Sequence, residues 1–270
     1  MQIELIGCTS AGKSTLVRGI LQAGREQGID ILTNDDFVLN LVWLNWVKNK
    51  LARTLCMDLI ALFACLITWR DIIEFYLFAI RIILRLPPSV AWFEKLNIAR
   101  NVLKMVGVYE IVLHCGSDQQ IVLADEGTLH TAHYLFVHVS VEPNINDIST
   151  FVKLVPLPDM VIYVQQDEDI LIERTLARKH KRIPDGSHAQ VELFIKRATS
   201  TFDKLAQHSV VKSRLVVVDS QRNIIIAKDD QNDPLLAKAL EIIRAGIDAV
   251  GVYNSTRIVP TQGAKMPKRH

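Results

Sequence analysis

The sequence predicts an α/β protein in which a parallel sheet of five strands is covered by helices on both faces, a three-layer α/β/α arrangement. Three observations support this fold. Short apolar runs alternate with helical segments along the chain. A glycine-rich loop follows the first apolar run and leads directly into a helix. Chemically active side chains fall where apolar runs end, which is where open parallel sheets bind their ligands.

The loop after the first strand is the clearest motif of the chain. It is Gly7-Cys8-Thr9-Ser10-Ala11-Gly12-Lys13-Ser14, which fits the phosphate-binding pattern G-x-x-x-x-G-K-[ST] without a mismatch. The helical segment from Thr15 to Gln27 places the loop N–H groups and a helix N-terminus around an anion. We expect Lys13 to reach the β- and γ-phosphates and the Ser14 hydroxyl to ligate Mg²⁺. Residues 7–15, through Thr15, are therefore the predicted nucleotide-binding residues.

The second predicted strand, residues 29–32, ends in Thr33-Asn34-Asp35-Asp36. A carboxylate at this strand end would border the acceptor side of the site and could accept a proton from an attacking hydroxyl. We assign this catalytic role to Asp36. Asp35 is assigned to the N-cap of the next helix, which is predicted to start near Phe37.

A helical insertion, residues 37–114, separates the second strand from the third. It contains all four tryptophans, and its turn signal is Pro87-Pro88-Ser89, which predicts three or four helices. Its longest charge-free central stretch, residues 59–69, is too short to span a bilayer, which needs about 20 residues. Three hypotheses stay open: helices packed into the protein's own core or forming a substrate lid, a homo-oligomer interface, and shallow contact with a membrane surface.

The third predicted strand, residues 120–124, leads into Asp125-Glu126-Gly127. Asp125 is positioned as a Walker B aspartate, which would hold Mg²⁺ together with Ser14. Glu126 would orient a water or an acceptor hydroxyl, or would support the loop. His130, His133 and His138 follow without metal-ligand spacing to a cysteine or acid; the first two either face the acceptor pocket or occupy polar positions on a helix.

The last third of the chain adds a lid to this site. Strands are predicted at 160–164 and 214–218, with a helix over 165–181 between them. Arg174, Arg178 and Arg182 are four residues apart and would share one helical face, where the γ-phosphoryl group in flight would relieve their repulsion. We predict a lid at residues 174–187. A domain over residues 1–250 would then be followed by a disordered basic tail at 251–270.

Composition limits the partners and the compartment. The chain has 270 residues and a net charge of +2, which argues against nucleic-acid binding. Its four cysteines form no C-x-x-C pair, so we expect a reducing, cytoplasmic location. If the insertion contacts a membrane, the protein would be peripheral at the inner membrane surface. Because the first strand and the loop begin at once, no signal peptide is expected.

Together these residues resemble the P-loop kinases of the thymidylate and nucleoside kinase-like group, within the P-loop NTPases. The resemblance covers about residues 1–36 and 118–245 and leaves the insertion out. It rests on the loop from Gly7 to Thr15, the acid after strand two, Asp125, and the arginines from Arg174 to Arg182. It implies ATP and Mg²⁺ as cofactors and a small-molecule acceptor, and it places Asp219-Ser220-Gln221 near the adenine.

The departures from that group bear on the acceptor. Thymidylate kinases carry an arginine beside the strand-end aspartate to grip the acceptor's phosphate, and here that residue is Glu126. An acceptor other than a nucleotide, such as a sugar, a glycan or a lipid-linked intermediate, is the resulting hypothesis. The alternative function is an ATPase that couples hydrolysis to conformational change or partner binding. A GTPase and an ABC-type ATPase are disfavoured, because N-K-x-D and L-S-G-G-Q motifs are both missing.

Overall fold

The computed structural model describes residues 1–117, 120–178, 182–183, 186–219, 224–226 and 240–246, and its strands form one sheet. The strands are β1 (Gln2–Ile6), β2 (Ile31–Thr33), β3 (Ile121–Ala124), β4 (Met160–Val164), β5 (Leu215–Val218) and β6 (Ile224–Ile226). Their order across the sheet is β2-β3-β1-β4-β5-β6. The first five are parallel, as predicted, and β6 is antiparallel to β5 and was not predicted.

The central strands explain why the sequence pattern is a run of apolar residues rather than an alternation. Every residue of β1, β3 and β4 is buried, because helices cover both faces of the sheet. Glu4 is the one charged residue in these three strands. A carboxylate buried in the middle of a sheet needs hydrogen-bond partners. The partners of Glu4 lie in the loop after β3, next to Asp125.

Ten helices with assigned bounds surround the sheet in the described part of the chain. They are α1 (Lys13–Glu26), α2 (Asn34–Leu41), α3 (Lys50–Ile67), α4 (Trp69–Arg85), α5 (Trp92–Cys115), α6 (Thr131–Phe136), α7 (Ile145–Leu154), α8 (Glu168–Arg178), α9 (His188–Gln207) and α10 (Ser209–Lys212). Leu16 and Ile20 of α1 share a core with Leu5 on one face of the sheet. Phe75 of α4 and Phe151 of α7 share the other core with β1 and β4. The three-layer α/β/α P-loop fold is thus confirmed.

The insertion between β2 and β3 consists of four helices, α2 to α5. Its start differs from the prediction. Helix α2 begins at Asn34 rather than near Phe37, and the Thr33 hydroxyl accepts a hydrogen bond from the Asp36 N–H at 3.1 Å. The assignment of Asp35 to the N-cap is therefore wrong, because the oxygen of Thr33 already satisfies the first turn of the helix.

Helix α3 has one face packed on α5 and the opposite face exposed. Met57, Ala61 and Cys65 are buried at four-residue spacing on the packed face. Gly107 of α5 allows a close approach there, since a Cβ at this position would lie 2.2 Å from the Ala61 carbonyl oxygen. The hypothesis that the insertion packs into the protein's own core therefore describes one face of α3 and leaves the other unexplained.

A helix that crosses a bilayer must be both long and apolar. No single described helix meets the criterion. The pair formed by α3 and α4, which meet at an angle of 110°, meets it jointly by length and composition.

Some sequence predictions fall on residues outside the described ranges. These are Lys181, Pro184 and Asp185 of the predicted lid, the Asp233-Pro234 start of a last helix, and the tail at 251–270. Residues 240–246 are helical, and Ile242 and Ile243 are buried in the same core as α1.

The close packing of α3 on α5 predicts a cost for enlarging Gly107. Gly107→Ala should lower the free energy of unfolding by about 1–3 kcal/mol, because the new methyl group meets backbone rather than a mobile side chain. Asn97→Ala, at an exposed position of the same helix, is the control, since it adds helix propensity without a clash. Urea unfolding of both variants measures the difference; a Gly107→Ala protein as stable as the control would contradict the packing.

Candidate active site

The loop between β1 and α1 has the backbone geometry of an anion cradle. Gly7 and Gly12 have φ values of 137° and 100°, which favour glycine. A Cβ on Gly7 would also lie 2.6 Å from the Val164 carbonyl oxygen. Gly12 is the N-cap of α1 and leaves the first N–H groups of the helix without a side-chain acceptor. These N–H groups and the positive end of the helix dipole are available to a phosphate.

Lys13 is held against this loop. The side chain is buried, and its Nζ donates to the carbonyl oxygens of Gly7 at 2.9 Å and Cys8 at 3.1 Å. Burial lowers the pKa of Lys13, and the nearby carboxylates of Glu126 and Asp125 oppose that shift. The thiol of Cys8 is inert by comparison, because burial raises its pKa to about 12.

Ser14 and Asp125 meet where the phosphate loop faces the end of β3. The Ser14 Oγ donates to Asp125 Oδ2 at 2.7 Å. The other carboxylate oxygen, Oδ1, is buried and has no hydrogen-bond partner among the described residues. A hydroxyl and a carboxylate are the hard oxygen ligands that Mg²⁺ takes from proteins, alongside water and phosphate oxygens. The residues present therefore fit the predicted Mg²⁺, with Asp125 Oδ1 as the unused ligand.

Glu126 lies beside this pair and is fixed by aromatic neighbours. The Tyr134 hydroxyl donates to Glu126 Oε2 at 3.0 Å, and His130 Nε2 lies 3.7 Å from Oε1. The Glu126 side chain is 47% exposed. Burial lowers the pKa of His130 well below its ordinary value, so this histidine is neutral at physiological pH. The arrangement keeps a carboxylate oriented and in contact with solvent at the edge of the phosphate loop.

These groups line one cleft of about 280 Å³. Its wall combines the phosphate loop and α1 with the loop after β3, helix α6 and two arginines: Thr9, Ser10, Ala11, Gly12, Lys13, Ser14, Thr15, Arg18, Asp125, Glu126, His130, His133, Tyr134, Arg178 and Arg182. His130 and His133 thus line the cleft, and their predicted position in the acceptor pocket stays a prediction. His138 lies away from this cleft and borders another cavity.

The three arginines predicted to form one face take three different positions. Arg178 is the last described residue of helix α8, and Arg182 forms part of a turn, so the shared helical face is wrong for Arg182. The Arg174 guanidinium donates to the Ser10 carbonyl oxygen at 3.3 Å, and Arg178 is exposed at the cleft. Arg174 contacts the phosphate loop, whereas Arg178 and Arg182 line the cleft, so the three arginines are not equivalent.

Arg182 is largely committed to structural contacts. Its guanidinium donates to the carbonyl oxygens of His133 at 3.1 Å and Val137 at 2.6 Å. It also lies 3.5 Å from a Glu94 carboxylate oxygen and over the ring of Tyr134. Two backbone carbonyls and one carboxylate thus stabilise the positive charge of Arg182. The predicted repulsion among the arginines therefore does not require a bound anion at this residue.

Asp36 does not line the cleft in the described structure. Its carboxylate accepts hydrogen bonds from Arg53 and from the Thr33 hydroxyl, both at 2.7 Å. These contacts lower the pKa of Asp36 although partial burial opposes them. The catalytic role of Asp36 stays a prediction, and the observed role of its side chain is to join α2 to α3.

Glu4 was not predicted as a site residue, and it holds the loop that carries Asp125 and Glu126. Its buried carboxylate accepts from the N–H groups of His130 at 2.7 Å and Leu129 at 3.1 Å. Gly127 makes room for it, since a Cβ there would lie 2.5 Å from the carboxyl carbon. The signal in the sequence was a glutamate inside an apolar strand. Tyr134 and Arg18, which carried no motif, were also missed.

A second cavity of about 210 Å³ lies on the other side of Cys8. It is bordered by Tyr163, Gln165 and Asp219, where Tyr163 donates to Asp203 at 2.7 Å. Asp219 belongs to the segment predicted near an adenine, whereas Ser220 and Gln221 lie outside the described residues. The placement of the adenine stays a prediction.

Comparisons with known proteins add little to this geometry. No family model and no curated protein matches the chain. Solved structures do match; one is a deoxyadenosine kinase from M. mycoides with products dCMP and a flexible dCDP bound. The match covers 95% of this chain and 100% of that one, with 12% identity and a TM-score of 0.43. Because both values are low, we base the function on the site's own contacts.

The buried carboxylate of Glu4 predicts a pH-dependent stability. Burial raises the pKa of Glu4 from 4.5 to about 7, and the N–H groups of His130 and Leu129 lower it in part. The folded chain therefore holds this proton more tightly than the unfolded chain. Relative to Glu4→Gln, the wild-type free energy of unfolding should fall by about 3 kcal/mol between the two pKa values as pH rises.

Urea unfolding across that pH window measures this difference. Glu173→Gln, an exposed carboxylate on α8, serves as the control and should follow the wild-type profile. Parallel profiles for wild type and Glu4→Gln would contradict the raised pKa of Glu4.

Proposed function

We propose that the chain is an ATP-dependent phosphotransferase that moves the γ-phosphoryl group to the hydroxyl of a small-molecule acceptor. The observation that carries this proposal is the contact of Ser14 with Asp125 at 2.7 Å, next to a phosphate loop with Lys13 in its wall. Phosphoryl transfer depends mainly on positioning and on neutralising phosphate charge, which is what these groups supply.

The nucleotide would be held by the loop N–H groups and Lys13. Ser14 and Asp125 would hold Mg²⁺, which, when bound, neutralises charge on the phosphate oxygens. On leaving the carbonyls of Gly7 and Cys8, Lys13 would bind the phosphates from the buried side of the loop. Arg178 is the arginine best placed to approach the transferred group, because it is exposed at the cleft while Arg174 and Arg182 bind backbone carbonyls.

Glu126 is the candidate base on the acceptor side. Its orientation by Tyr134 and its position beside the nucleotide residues suit a carboxylate that accepts a proton from an attacking hydroxyl. The neighbouring His130 is neutral and can hydrogen-bond a hydroxyl without repelling it. A phosphorylated acceptor would place like charges together at Glu126, so an uncharged, hydroxyl-bearing acceptor such as a sugar or glycan is favoured.

The second candidate is an ATPase that couples hydrolysis to a conformational change or to partner binding. One observation favours it: Glu126 is 47% exposed, so water reaches the same carboxylate. The two functions differ in the group that lies beside Glu126 during transfer, which is an acceptor hydroxyl in the phosphotransferase and a water molecule in the ATPase.

Tracing the phosphate label separates the two functions. With γ-labelled ATP, Mg²⁺ and a metabolite extract, we expect label in an organic product. Lys13→Ala should reduce its formation about 100-fold or more, because a charge that stabilises the transferred phosphoryl group is lost. Lys153→Ala, an exposed lysine on α7, should leave it unchanged. Label that appears only as inorganic phosphate would favour the ATPase, and full turnover by Lys13→Ala would refute both.

A pair of isosteric variants decides which carboxylate is the base. Glu126→Gln should lower kcat by about 100-fold or more, because the amide keeps the Tyr134 contact and loses the basic oxygen. Asp36→Asn should leave kcat nearly unchanged and lower stability by about 1 kcal/mol or less, since its partly exposed ion pair with Arg53 is weak. The reverse outcome would restore Asp36 as the base and assign Glu126 to supporting its loop.

A further inference from the structure

Helix α3 presents an apolar surface that nothing in the described structure covers. Every exposed residue of α3 after Lys50 is Leu, Phe or Ile, and together they form what we term the outer face: Leu51, Leu55, Leu59, Leu62, Phe63, Leu66 and Ile67. Their spacing of three and four residues places them along one side of the helix. Single exposed apolar side chains are normal, but a continuous stripe of seven indicates a contact surface.

The two ends of the outer face carry tryptophan and positive charge. Trp43 and Trp46 precede α3 and are 87% and 74% exposed, and Trp69 begins α4 one residue after the end of α3. Exposed Lys48 and Lys50 lie at the first end, and Arg70 lies at the second, where its guanidinium contacts the Trp69 ring. Tryptophan and basic residues flanking an apolar helix face are typical of the headgroup region of a membrane.

The acidic residue of α3 does not offset this charge. Asp58 forms an ion pair with Arg100 of α5, on the protein side of the helix. Arg53 is likewise paired with Asp36. Lys48, Lys50 and Arg70 form no ion pair within the described residues. The charge left at the first end of the outer face is therefore positive, whereas at the second end the exposed Asp71 follows Arg70.

This charge distribution distinguishes a lipid surface from a second copy of the chain. In a symmetric dimer through the outer face, Lys48 and Lys50 would meet either their own copies or the second end, where Arg70 and Asp71 together offer no net counter-charge. An anionic lipid surface supplies the counter-charge that Lys48 and Lys50 lack. Because α5 covers the other side of α3, the helix would lie in the surface rather than cross it.

We propose that the outer face of α3 binds an anionic membrane surface, with Leu55, Leu59 and Phe63 entering the acyl boundary and the flanking tryptophans and basic residues in the headgroup layer. This surface is separate from the nucleotide cleft, and its binding requires no ATP turnover.

Vesicle sedimentation of the full-length chain tests this proposal. Wild type should bind phosphatidylcholine–phosphatidylserine vesicles at least tenfold more tightly than phosphatidylcholine vesicles, and less tightly at high salt. Leu55→Ser/Leu59→Ser/Phe63→Ser should weaken binding at least tenfold. The control Leu113→Ser/Ile145→Ser/Val210→Ser removes three exposed apolar side chains elsewhere and should bind as wild type does. Circular dichroism would verify that each variant is folded.

The charge contribution is measured separately with Lys48→Gln/Lys50→Gln. At about 1 kcal/mol for each lysine, affinity for the anionic vesicles should fall roughly 30-fold, with little change for neutral vesicles. Three outcomes would overturn the proposal: no binding to either vesicle, equal loss in both triple variants, or a lipid-free dimer that the outer-face substitutions dissociate. The last outcome would assign the face to a second copy of the chain.

Discussion

The buried carboxylate of Glu4 connects the two loops on which the site depends. Strand β1 ends in the phosphate loop, and β3, its parallel neighbour, ends in Asp125. Parallel pairing brings the two strand ends to one edge but does not fix the loop that follows β3. Glu4 does so by accepting the N–H groups of Leu129 and His130, which holds Asp125 near Ser14 and turns His130 toward the cleft. A polar group buried so deeply is tolerated because these hydrogen bonds satisfy it.

The parts of this site that the sequence predicted are those set by local order. The phosphate loop is defined by glycines within six residues and by the strand and helix that flank it. Asp125 was found because it follows an apolar run and strands of a parallel sheet share one edge. Glu4 and Tyr134 could not be assigned in this way. Glu4 acts on residues more than 120 positions away, and the contact of Tyr134 with Glu126 requires the short helix α6, which no periodic pattern announced.

The arginines show where a spacing argument fails. Intervals of four predict one helical face only if the helix continues through all three residues, and Arg182 lies in a turn. The repulsion inferred among Arg174, Arg178 and Arg182 is relieved by other means. Ser10 offers a backbone carbonyl to the first, and two carbonyls and Glu94 bind the last. Backbone oxygen atoms are invisible in a sequence, so spacing alone could not separate an arginine that binds phosphate from one that braces a loop.

In the insertion, the sequence could not show which apolar residues are buried and which are exposed. Composition predicted helices, but it could not tell which apolar residues of α3 would pack on α5, because that depends on the close approach at Gly107. The ion pair of Arg53 with Asp36 ties the first turn of α3 to the segment after β2 and is too exposed to fix it alone. The buried contacts of Met57 and Ala61 supply the rigid attachment. These contacts hold the packed face of α3 against α5, so the apolar outer face stays on the solvent side of the helix.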